Sequence, residues 1–221
     1  ILLGVLISNS AQAITVVPTG LNPGDQYRLA FVTSTTRDAT STNIAVYNAF
    51  VTGVANTAPQ LLALGTTWTA IGSTTTVDAR DNTGTNPSST GVPIYLLNDT
   101  KLVDNNADLW DATIDVFFNI SESGASLGPA YVHTGTRFNG TASPTLELGG
   151  VSGIVLTGGT NATLNSFWVR GNPALITDQA SFYAVSGLLT VVPVPGAVWL
   201  FGSALGLLGA ARKRHRQSAT V

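Results

Sequence analysis

Residues 196–211 run for sixteen positions without a charge, entered through Pro193 and Pro195 and left through Arg212, Lys213, Arg214 and Arg216. At about 1.5 Å per residue, a helix of that length nearly crosses a hydrocarbon core of roughly 30 Å, given some thinning or a few flanking residues. Cations on one flank only orient such a helix with its C-terminus in the cytoplasm and everything before Pro193 outside. The chain is thereby divided into an exported body and a tail. The competing reading is a buried core helix with a solvated basic end, although a core is better served by about 10–14 apolar residues. At the other end, residues 1–7 (ILLGVLI) match the hydrophobic region of a signal peptide, and Ala11-Gln12-Ala13 supplies the small-residue cleavage pattern that follows one. Residues 1–13 then read as a signal-peptide remnant, with a short buried strand as the alternative.

The order Val192-Pro193-Val194-Pro195, then Trp199-Leu200-Phe201-Gly202-Ser203-Ala204-Leu205, then Arg212, Lys213 and Arg214 resembles the PEP-CTERM sorting signal of Gram-negative bacteria that make exopolysaccharide. The resemblance covers about the last twenty-five residues. It implies recognition by an exosortase, a membrane-embedded cysteine protease that cuts near the proline motif. Residues 193–216 are then the sorting segment, with Pro193, Pro195, Trp199, Arg212, Lys213 and Arg214 as its marks. On this view the protein is anchored transiently in the inner membrane and then passes to the cell surface or extracellular matrix. Val194 stands where the family usually has Glu, so the subtype of the partner enzyme is open.

Between the two ends, residues 14–192 suit one domain with a sizeable core. Six cations (Arg28, Arg37, Arg80, Lys101, Arg137, Arg170) face all twelve acids of the chain there, a net charge of −6. An acidic body argues against nucleic acid or anionic lipid as partner, because phosphate backbones require a basic face. A cation or a neutral glycan fits that charge. Cysteine is absent, so even in an oxidising compartment the core alone must hold the fold.

Alternation and β-branched content predict strands at 27–32, 67–71, 93–97, 116–120, 131–134, 167–170 and 182–191, separated by turn clusters. Ile44, Tyr47, Phe50 (or Val51) and Val54 recur at helical spacing after Thr40-Ser41-Thr42, any of which can cap the helix, and Asn56-Thr57-Ala58-Pro59 ends it. Residues 60–64 add a short second helical turn. From 139 to 165 the composition predicts exposed hairpins and loops around an apolar island at 151–156. The expectation is an α+β fold with one main helix on a sheet. That order, with Thr67-Trp68-Thr69-Ala70-Ile71, Pro93-Ile94-Tyr95-Leu96-Leu97, Asp108-Leu109-Trp110-Asp111 and Tyr131-Val132-His133-Thr134-Gly135-Thr136, resembles the endostatin-like branch of the C-type-lectin-like fold over about half the chain. The family's cysteines and arginine-rich heparin face are missing, so heparin-type binding is not implied. A β-sandwich is the alternative architecture.

Asp104, Asn106 and Asp108 place side-chain oxygens at positions 1, 3 and 5 of a loop, and Asp115 falls at position 12, an alternation that admits Ca²⁺. Leu109 stands where an EF-hand needs Gly, and Asp115 is shorter than the bidentate Glu of such loops. The plainer reading is an Asx-rich turn capping a helix that begins near Ala107. In the loop at 78–82 an ion pair with Arg80 is expected. Gly124-Ala125-Ser126-Leu127-Gly128 fits G-x-S-x-G, but Gly128-Pro129 breaks the helix that a nucleophile elbow needs. His133, the body's one histidine, reads as a strand residue meeting solvent or a hydrogen bond. Trp68 and Trp110 read as core, whereas an exposed Trp168 offers a sugar-stacking surface.

These readings converge on an exported, exosortase-processed surface or matrix protein. It is non-catalytic, uses no cofactor unless Ca²⁺, and binds exopolysaccharide or another matrix component. The alternative is a secreted hydrolase acting on exopolysaccharide through paired carboxylates, for example Glu122 with Asp115.

Overall fold

The computed structural model describes residues 14–163 and 166–192. The segments expected to be a signal-peptide remnant (1–13), a sorting segment with its six marker residues (193–216) and a transmembrane helix (196–211) lie outside the described residues. Among those that are described, no helix is long and apolar enough to cross a membrane.

The elements follow in the order β1 (Gln26–Val32), α1 (Ile44–Ala55), α2 (Pro59–Leu62), β2 (Trp68–Ala70), α3 (Ala79–Asn82), β3 (Ile94–Leu96), β4 (Lys101–Val103), α4 (Asn106–Leu109), β5 (Tyr131–His133), β6 (Ile154–Gly159), β7 (Pro173–Leu175), β8 (Tyr183–Ser186) and β9 (Leu189–Thr190). A six-stranded mixed sheet runs β2-β8-β1-β3-β4, with β9 also on β1, and a three-stranded antiparallel sheet runs β5-β6-β7. β1 pairs in parallel with β3 and antiparallel with β8 and β9. Its register slips by one residue between β8 and β9, the signature of a bulge on that side. Flanked on both edges, β1 is buried continuously from Leu29 onward, as a central strand must be.

This is an α+β architecture, in which a helix rather than a second large sheet packs on the main sheet. α1 turns Tyr47, Val51, Val54 and Ala55 inward, the i, i+4, i+7 face of an amphipathic helix. The Tyr47 ring stacks on Phe182 at 5.2 Å and the Phe50 ring meets it edge-on at 5.8 Å. The cap is Asn43, whose Oδ1 accepts from the Ala45 amide at 3.0 Å, not one of Thr40, Ser41 or Thr42. Ser41 serves the preceding turn instead, its Oγ accepting from the Asn43 amide. α2 starts one residue earlier than expected, with Pro59 at its first position, where a missing N–H is harmless.

Trp68, Trp168, Tyr27, Tyr47, Tyr183, Phe31, Phe118 and Phe182 are the largest fully buried side chains. Phe118 stacks on Tyr183 at 4.1 Å, and Trp168 lies 5.8 Å from Trp110, 6.1 Å from Tyr183 and 6.5 Å from Phe118. With no cysteine to cross-link it, the domain depends on this aromatic packing.

Two predicted strands are absent as such. Phe118 is buried, but 116–120 forms only an isolated bridge from Ile120 to Ser126. Residues 166–169 turn, with the Val169 and Arg170 amides both donating to the Ser166 carbonyl, which swings Trp168 into the core. The opposite error concerns 154–159, expected among exposed loops. β6 is the middle strand of the second sheet, with Val155 and Leu156 buried between β5 and β7. Its Gly158 is needed by packing: a Cβ there would stand 1.9 Å from the Trp168 carbonyl oxygen.

Candidate functional site

The acidic loop grows out of β4. Asn105 caps α4, its Oδ1 accepting from the Ala107 and Asp108 amides at 2.9 and 3.1 Å, which is the helix-capping turn read from the sequence. Asp108 Oδ2 accepts from the Asp104 amide at 2.6 Å, and Asp104 forms an ion pair with Lys101. Asn106 is buried and faces away, its Nδ2 donating to the Asn86 and Ser89 carbonyls and to Ser89 Oγ at 3.1–3.2 Å. Asp115 is tied through its amide to the Leu102 carbonyl. Its carboxyl is held above the usual range, first by desolvation and then by the negative charges of Asp108 and Asp104.

Of the four residues Asp104, Asn106, Asp108 and Asp115 whose spacing admits Ca²⁺, Asn106 is held toward Asn86 and Ser89, and among the described residues no group of three or more His, Cys, Asp or Glu side chains is placed to hold a metal.

The other chemical candidates resolve into structural roles. Asp78 pairs with Arg80 at 3.7 Å, as expected, and its Oδ1 also accepts from the Ala142 amide at 2.7 Å. Ser126 lies in the turn that bridges back to Ile120, its Oγ accepting from Asn119 Nδ2 at 3.1 Å, and no helix follows. Glu122 is buried against the end of β1, where its carboxylate accepts from the Ser34 amide at 2.9 Å and from the Ser34 hydroxyl. Asp115 hangs from β4, two strands across the sheet from β1.

His133 is fully buried in β5 rather than solvent-facing. Its Nε2–H donates to the Asp178 carbonyl at 3.0 Å, its ring meets Phe182 edge-on at 5.8 Å, and Nδ1 has no partner among the described residues. Desolvation holds its pKa below the ordinary 6.5, against smaller upward contributions from the Asp178 bond and from the charges of Asp178 and Asp38. The contribution to stability is therefore complete above pH 6.5 and is lost as the pH falls from there through the depressed folded value, because the unfolded chain takes up the proton first. Denaturant midpoints measured from pH 7.5 to 5 should fall for the native chain and fall less for His133→Phe. Parallel curves would refute the assignment.

Trp168, suggested as an exposed sugar-stacking ring, is wholly buried. The adjacent Phe167 is outside instead, 53% exposed, and Tyr131 at the start of β5 is 67% exposed. The sequence shows an aromatic pair at 167–168, and one member of such a pair is commonly outward; which one depends on the turn at Ser166. Tyr131 was hidden for another reason. Its cross-strand partner is Gly159, in a segment read as loop, so nothing in the sequence shows that its ring lacks a neighbour. Compared with known proteins, the chain matches no protein-family model and no curated protein sequence.

Proposed function

We propose that this chain is exported, sorted by an exosortase-type membrane protease through its PEP-CTERM-like segment, and delivers to the cell surface or extracellular matrix a non-catalytic domain that binds exopolysaccharide or another matrix component. Before processing, the helix at 196–211 anchors it in the inner membrane; nucleic acid is not a partner. The observation that carries the sorting reading is at the end of β9. Val191 is fastened to the sheet by bonds with Gly24 and Asp25, whereas Val192, next to the proline motif, is 78% exposed. A protease needs accessible chain, and the exposed Val192 adjoins the proline motif where the resemblance places the cut.

The finer fold assignment belongs to the same proposal. The segments resembling the endostatin-like branch of the C-type-lectin-like fold fall on β1, α1, β2, β3, α4 and β5 in that order, which supports the likeness. Net −6 on residues 14–192 favours a neutral ligand.

Mass determination of the protein recovered from the outer surface of its host tests the sorting. The expected mature species starts near residue 14 and ends near the proline motif. A mature form that retains Trp199 and Arg212 would overturn it.

A further inference from the structure

We propose that the face of the second sheet around Tyr131 and Phe167 is a binding groove for a neutral polysaccharide chain, an assignment that rests on the reading of the body as a glycan binder. Three contiguous hollows surround the Tyr131 ring. One, of about 290 Å³, lies toward Pro129 and Asn161. A second, of about 150 Å³, lies between Tyr131 and Phe167 over Gly158, Gly159 and Gly171. The third, of about 370 Å³, runs past Asn172 to Asp178. The third is near the lower end of the roughly 300–1,000 Å³ of enclosed small-molecule pockets, and the other two fall below it. Their shared wall suits successive units of an extended polymer lying across one ring better than a single molecule swallowed whole.

The chemistry of the lining points the same way. Tyr131 and Phe167, two exposed rings around the second hollow, form an apolar contact surface there. Pyranose rings present an apolar C–H face and a hydroxyl rim, so an exposed aromatic ring covers the former while amides and carboxylates meet the latter. Tyr131 is free to do so because Gly159, opposite it, has no side chain to pack on. The side chains of Asn161 and Asn172 make no hydrogen bond among the described residues, which leaves donors and acceptors for sugar hydroxyls at both ends of the groove. Asp178 Oδ2 accepts from the Leu175 amide at 3.1 Å, which orients its carboxylate. It is the one charged side chain among the described residues lining the hollows. A lining with a carboxylate and no cation disfavours uronate, sulfate or phosphate groups.

The test is affinity electrophoresis of the full chain in detergent through gels holding dextran, laminarin, galactomannan or xylan, with alginate as the acidic probe. Melting curves serve as a folding control, and none of the exposed residues to be changed is needed by the core. At least one neutral polymer should retard the protein. Tyr131→Ala and Phe167→Ala should weaken that binding tenfold or more, and Asn172→Ala severalfold. Tyr131→Phe should keep most of it, and Phe138→Ala, exposed elsewhere, all of it. Unchanged retardation of Tyr131→Ala would overturn the groove while leaving glycan binding intact. Retardation by alginate alone would overturn the neutral ligand, and no retardation by any polymer would overturn both readings. A dimer that Tyr131→Ala dissolves in sedimentation, without retardation of the native chain, would show instead a surface between copies and overturn the groove.

Discussion

Trp168→Ala should lower the unfolding free energy by about 3–5 kcal/mol, the range for deleting a large buried aromatic. Trp168 is fully buried and touches three other rings, Trp110, Phe118 and Tyr183, that come from separate parts of the chain. Removing it opens a cavity which neighbours can fill only in part, since Gly158 is pressed against the Trp168 carbonyl and fixes the backbone on that side. Trp168→Phe is the informative companion. It keeps ring packing and also removes the indole Nε1, which is buried without a partner, so part of the lost area is offset by relief of a desolvated donor. Its loss should be well below that of the alanine variant. Urea or guanidinium midpoints measure both. A loss under about 1 kcal/mol for Trp168→Ala would mean that this cluster is not the centre of the core.

Gly135→Ala should be nearly as costly, by about 3 kcal/mol, and for a different reason. Gly135 has φ +61, a left-handed conformation that disfavours a Cβ by roughly 1–2 kcal/mol. An alanine Cβ would also stand 2.6 Å from the Leu148 nitrogen and 2.8 Å from the Ser73 oxygen. Both are backbone atoms joined to each other by a hydrogen bond of 2.9 Å, and the Gly135 amide donates to the Leu156 carbonyl at the same distance. The three segments that meet there tie the second sheet to the loop after β2, so no side chain can rotate to make room. Gly20→Ala separates the two contributions: φ is +82 there and nothing among the described residues lies within 4 Å of the added Cβ, so only the conformational cost is expected. Equal losses for the two variants would show that close backbone approach at Gly135 contributes nothing.

The elements that could be read in advance are those whose pattern is local. β1, β2, β3, β5 and the β8–β9 stretch each pair β-branched or aromatic residues with clear turn boundaries, and α1 repeats apolar residues at helical spacing. β4 and β7 escaped because neither carries a local strand pattern: β4, Lys101-Leu102-Val103, does not alternate in burial and has no aromatic, and β7, Pro173-Ala174-Leu175, starts with a proline that cannot donate to the ladder. β6 escaped because its glycines and threonine resemble loop composition, whereas Gly158 is demanded by the Trp168 turn packed on the strand. In the acidic loop, spacing alone does not show that the turn sends Asn106 toward Asn86 and Ser89.

The candidate groove was the least visible part. Tyr131 and Phe167 lie far apart along the chain and meet through β6 and the turn that follows it, and a glycine opposite a tyrosine is a fact of register rather than of composition. The amino-acid order alone determined the α+β succession, the main helix and the burial of Trp68 and Trp110, since periodicity and hydrophobicity act over a few residues. Tertiary structure decided which ring of Phe167-Trp168 faces water, which asparagine capped a helix and which was buried, and which aromatics share a face. Those choices depend on the space left by distant segments, and no local pattern encodes it.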